Sequence, residues 1–190
     1  MQTSTKSEML ALWRRSLGLE TANNSCTIEA VEGLDVDNII TRYMRLWYLD
    51  LLDNAPAHLC PVTNAARQAS VSLQDMLGLI VLPKGVRRVL SVKLSSWLRQ
   101  IEVRDAEDAA WRIARLPSPF GRPGINDPLA IIRPQGLQVF PATNNDSIET
   151  LMVIADPGEE LYILDEVLLS HIPRCLPHEL TLSRDDGNCL

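Results

Sequence analysis

Apolar residues recur at helical spacing twice in the first third of the chain. Met9, Leu10, Trp13 and Leu17 form one stripe, preceded by Thr5 and Glu8 at capping-box spacing and followed by Gly18, which predicts a first helix with both ends marked. A polar stretch, ETANNSC, separates it from a stronger pattern. That pattern opens near Asp35 or Asp37, carries Ile40, Tyr43, Met44, Trp47 and Leu51 on one face, and ends at Asn54 and Pro56. Leu46, Tyr48, Leu49 and Leu52 widen its apolar surface beyond one stripe, so this helix is expected to be central in a bundle or packed on a neighbouring subunit.

The periodicity then changes. Residues 64–77 fit a helix, but Val71 and Leu73 alternate with Ser70, Ser72 and Gln74, so an extended reading stands beside the helical one. Further on, Leu90, Val92 and Leu94 alternate with Ser91, Lys93 and Ser95, the pattern of a half-buried strand entered through Pro83 and Gly85. Asp105 is placed to cap a helix reaching Leu116, with Ala109, Ala110, Ile113 and Ala114 as its small apolar face. PSPFGRPGINDP is too rich in proline and glycine to be regular. Pro128 to Arg133 and Leu137 to Phe140 predict a hairpin turned by Pro134 and eased by Gly136, and Ile148 to Ala155 predicts a strand ended by Asp156, Pro157 and Gly158. Leu161, Leu164, Leu168 and Ile172 have the spacing of a last helix. The expected fold class is α+β, a helical bundle with an inserted small antiparallel β-rich element. It forms one domain over 1–175, helical at about 4–56 and 160–172 and β-rich at about 79–156, with an irregular tail at 176–190.

The order LPKGVRRVLSVKLSSW, then DPLAIIRPQGLQVFP, then ETLMVIADPGE is similar to a known family. It resembles the head–tail connector, neck or ring proteins of tailed bacteriophages, especially those infecting the Bacteroides group. There an LP…R…VS.K…W segment precedes an NP or DP strand, a glycine hairpin and a C-terminal helix. The resemblance spans Leu79 to Ile172 and rests on pattern and order, with no catalytic signature. It implies a helical bundle with a β-rich extension, repeated about a dozen times around a ring below the portal, helices near the DNA channel and the β-element facing the tail. In that family the last helix runs on through an Ala- and Tyr-rich segment; here Pro173 cuts it short.

Composition narrows the classes. At 46% apolar and 22% charged residues, the 190-residue chain has the make-up of one globular domain rather than a disordered one. No apolar run approaches the roughly 20 residues of a membrane-spanning helix, and MQTSTKSEML does not read as a secretory signal, so assembly in a host cytoplasm with no membrane partner is expected. Cys26, Cys60, Cys175 and Cys189 are scattered and expected to be free thiols. A net charge of −6 disfavours gripping duplex DNA, because phosphate neutralisation needs Lys and Arg, yet it suits a ring through which DNA slides without specific binding.

Catalytic constellations are weak. His171, Cys175 and His178 have some metal-ligand spacing, with Cys189 or the His58/Cys60 pair as distant completions. Pro173 and Pro177 break the turn that would hold the set, so no metal and no other cofactor is expected. Pro123 removes an amide from the GRPG turn that a phosphate cradle would use, and Asp105, Glu107 and Asp108 suit a solvated first helical turn better than acid/base work. No enzyme is expected. Arg87, Arg88, Lys93, Arg99 and Arg104 gather in one stretch of an acidic chain and fit either a solvated strand face or a subunit contact meeting the Asp156 to Glu160 loop, or Asp165 and Glu166, of the next copy.

The candidate interface residues are Trp47, Arg87, Arg88, Trp97 and Arg99, with a buried Trp97 capping the β-element as its other reading. The function expected is that of a structural virion protein, a connector ring at the portal vertex touching the portal and tail or further ring proteins. Segments such as 22–25 or the C-terminal tail would reach adjacent subunits. A cellular α+β module that binds a protein or peptide is the alternative.

Overall fold

The computed structural model describes residues 1–19, 35–74, 77–104 and 123–176. The helix expected at 105–116, the 22–25 segment, the first part of the Pro/Gly loop, the tail from 177, and with them Cys26, His178 and Cys189, lie outside the described residues. What is described is mostly β, with three α-helices and ten strands in three antiparallel sheets, so a helical bundle with a small β-insert is not the fold. The chain divides into two compact units, Met1–Leu51 with Gly158–Leu190, and Leu52–Pro157.

In the first unit, strand β1 (Gln2–Thr5) leads into helix α1 (Lys6–Ser16) through the expected capping box. The Glu8 N–H donates to Thr5 Oγ1 at 3.3 Å and the Thr5 N–H donates to Glu8 Oε2 at 2.8 Å, satisfying two donors a helix start leaves open. The Thr5 N–H, and then the Thr5 hydroxyl donating to Glu8 Oε2 at 3.0 Å, hold the Glu8 carboxyl below its ordinary pKa. Helix α2 (Val36–Asn54), whose last three residues belong to the second unit, starts after Asp35, whose Oδ1 accepts the Asn38 N–H at 3.2 Å. Its fully buried residues are Ile40, Met44, Tyr48 and Leu52, a strict i, i+4 row, while Tyr43, Trp47 and Leu51 are half-buried beside it.

The expected last helix is overturned in its first half. Leu161–Leu164 is strand β10, paired antiparallel with β1 in the register Ser4 to Tyr162, and only Glu166–Leu169 is helical (α3). Its four apolar residues alternate in burial, Leu161 exposed and Tyr162 and Leu164 inside, which is the period of a strand. Tyr162 meets Tyr48 edge-on at 4.9 Å, and Tyr48 Oη accepts the Ile163 N–H at 3.2 Å. The pairing partner, QTST, lies at the other end of the sequence, so local spacing gave no sign of it.

The second unit carries two four-stranded sheets. One has the order β2 (Val62–Asn64), β9 (Ile148–Ala155), β5 (Val86–Leu94), β6 (Ile101–Glu102); the other has β3 (Ser70–Gln74), β4 (Leu77–Val81), β8 (Gly136–Phe140), β7 (Leu129–Arg133). The extended reading therefore holds for 70–74, and of the helical reading of 64–77 only a 3-10 turn at Ala66–Gln68 is found. Ile80, Val92, Leu94, Leu137, Val139, Leu151 and Val153 from both sheets share one core, each side chain contributing about 1.5–3 kcal/mol on full burial. The predicted β7–β8 hairpin is present, closed over Pro134 and Gln135. Gly136 is required there: its φ is +141°, and a Cβ would sit 2.4 Å from the Ile80 carbonyl oxygen.

Candidate partner-binding cleft

The residues that drew attention in the sequence fall in different settings. Trp97 is 2% exposed inside the second unit's own core, with its Nε1–H donating to the Pro141 carbonyl at 2.8 Å, so it is a structural keystone rather than a surface anchor. The turn beneath it is tied by Asp146, whose carboxylate accepts the Thr143 N–H at 2.6 Å and the Ser96 N–H at 3.2 Å. Burial pushes that carboxyl's pKa up, but the combined bonds from Ser96 and Thr143 outweigh it and hold it below its ordinary value. Trp47 belongs to the first unit, half-buried with its ring edge-on to Trp13 at 5.6 Å.

The basic stretch is largely partnered. Arg87 grips Asp53 through two guanidinium nitrogens, Nε at 2.8 Å and Nη2. That bond raises the arginine's pKa further, with the Asp53 and Asp156 charges adding to it against some loss from burial. Arg88 donates from Nη1 to the Ala55 carbonyl at 2.6 Å, Lys93 pairs with Glu149 at 2.6 Å across to β9, and Arg99 pairs with Asp127. Arg99 and Asp127 are both well exposed, so their bond is weak by nature. The reading as a solvated strand face fits Lys93, while Arg99 is solvated on the turn between β5 and β6.

Arg87, Arg88 and Arg104 share a different place. They line an open cleft of about 820 Å³ in the second unit together with Leu82, every residue from Val86 to Ser91, Glu102, Val103 and Ile132. Ile132 is one of the exposed large apolar residues. Beside the cleft's Ala57 stands Cys60, fully buried, whose thiol is pushed up by burial and partly brought back by the Arg88 charge, so it is a poor nucleophile. Mixed apolar walls, three guanidinium groups and one carboxylate suit binding of an acidic chain segment more than chemistry on a small molecule.

Among the described residues no group of three or more His, Cys, Asp and Glu could hold a metal ion, and no helix is long and apolar enough to cross a membrane. Cys175 is exposed and, like Cys60, a free thiol. Sequence reasoning found the arginines but missed the cleft, because β6 pairs with so little of β5 that no spacing foretold it. No known family model matches the chain, and no curated protein matches it.

Proposed function

We propose that the chain is a structural protein of a tailed-phage virion, a head–tail connector that repeats about a dozen times around the portal vertex and lets DNA pass without specific binding. One observation carries the reading. The three segments that resemble connector proteins, at 82–97, 127–141 and 149–159, supply β5, the β7–β8 hairpin and β9 of a single compact unit, packed on one core with Trp97. That unit also presents an open cleft on the LPKGVRRVLSVKLSSW segment, a surface of the kind a ring subunit needs for its neighbour. The net charge of −6 agrees with a channel that does not hold DNA.

The test is addition of the purified chain to isolated portal rings of the same phage, followed by sedimentation and electron microscopy. Co-sedimentation with an added layer of density on one end of the portal is expected; a chain that stays free at every ratio contradicts the proposal. The cellular binding module draws on the same cleft, and it gains if the chain ignores the portal and instead captures one host protein.

A further inference from the structure

Strand β5 changes character along its length. On one side it pairs with β9 from Val86 to Leu94; on the other, β6 reaches only Ser91 and Val92, and the Val103 N–H adds a bond to the Leu90 carbonyl at 3.1 Å. The chain then turns away, and Arg104 donates its N–H to Ala130 and bridges Ile131 of β7. Among the described residues, no strand pairs with the outer edge of Val86–Val89. Burial changes at the same point: none of the residues from Val86 to Ser91 is buried, whereas Val92 and Leu94 are completely so. The unburied run is the one that lines the cleft.

An unpaired strand edge in a recess offers backbone donors and acceptors to an extended chain, with side-chain pockets setting which chain is accepted. Here the apolar lining is Val89, Leu90, Val103 and Ile132, and the charged lining is Arg87, Arg88 and Arg104 against Glu102. Arg87 uses Nε and Nη2 on Asp53 and Arg88 uses Nη1 on Ala55, so of the five donors each guanidinium has, some remain on both. Register shifts between Val86 and Arg88 and between Val89 and Ser91, together with two adjacent arginines, blunt this edge against an identical edge of another copy. A strand bringing carboxylates meets no such repulsion.

The chain itself contains a segment of that chemistry beyond the described residues. In ELTLSRDD, at 179–186, Leu180 and Leu182 alternate with Glu179, Thr181 and Ser183, and Glu179, Asp185 and Asp186 outnumber Arg184. It follows closely on Leu176, and the stretch 177–190 spans up to on the order of 45 Å when extended, enough reach to leave its own subunit. We infer that the cleft beside Val86–Val89 takes the 179–186 segment of an adjacent copy as an added antiparallel or parallel strand, an inference that rests on the ring reading and supplies its subunit contact.

The test is fluorescence anisotropy of a labelled 177–190 peptide with the full-length chain carrying Glu179→Lys, Asp185→Lys and Asp186→Lys, so that its own tail does not compete. Saturable binding is expected, weakened at least tenfold by adding Arg88→Glu with Arg104→Glu, and regained by a peptide carrying the three lysines when the charge-reversed chain keeps its own Glu179, Asp185 and Asp186, which the reversed cleft repels. A peptide with Leu180→Asp and Leu182→Asp, which leaves the protein untouched, is expected not to bind. Absence of binding by the natural peptide, or equal binding by the Leu-to-Asp peptide, overturns the inference. Because this assay needs no phage, its failure beside a virion that contains the chain removes the contact and leaves the ring.

Discussion

Trp97 shows most directly how one side chain decides between readings of the same sequence. A tryptophan beside arginines can anchor an interface, but this one is buried in the same core as Val92, Leu94, Leu137 and Val139 and has its single donor engaged. Trp97→Ala is therefore expected to cost about 3–5 kcal/mol, measured by urea denaturation, rather than to leave a folded monomer with weakened assembly. Trp97→Phe retains most of the apolar contact and strands the Pro141 carbonyl, for an expected loss of about 1–3 kcal/mol. Asp146 adds a pH dependence. Its folded pKa is depressed, so its contribution is fully present above the unfolded carboxylate value of about 4 and is lost as pH falls through the lower folded value. Asp146→Asn is expected to lower stability at neutral pH and to flatten the fall in melting temperature below pH ~4; a variant with the wild-type acid slope would refute that role.

At the scale of elements, signals that depend on adjacent residues were readable and those that depend on distant partners were not. The capping box of α1, the start of α2 at Asp35, the strand at Leu90 to Leu94 and the Pro134–Gly136 hairpin all rest on residues within a few positions of each other. Leu161–Leu164 does not read as a strand because its ladder partner among the described residues is β1, more than 150 residues away in the chain. Likewise, the expected α2 stripe shares Ile40 and Met44 with the buried row, but its apolar surface is so wide that only packing shows Tyr48 and Leu52, rather than Tyr43, Trp47 and Leu51, to complete it. The site follows the same rule: its arginines are visible in the sequence, and the length of β5 beside them that no described strand pairs is not. The hairpin itself yields an expectation. Gly136→Ala forces a Cβ onto the Ile80 carbonyl at a φ of +141°, so it is expected to destabilise the chain by more than about 2 kcal/mol in thermal melts, and a neutral result would contradict this hairpin geometry.

For the molecule as a whole, a change of fold class leaves the functional proposal standing on different ground. The expected helical bundle is replaced by three antiparallel sheets, so what supports a connector role is a β unit gathering the resembling segments and an open cleft on its strand edge. A ring built this way is heterologous, with a donor surface and an acceptor surface on each copy, and closure limits its number. Copy number is therefore the quantity most specific to the account. Quantitative mass spectrometry of purified phage particles from the source organism, counting this chain against the major capsid protein, is expected to give about a dozen copies per particle. Hundreds of copies would instead make it a shell decoration, and none would contradict a place in the virion altogether.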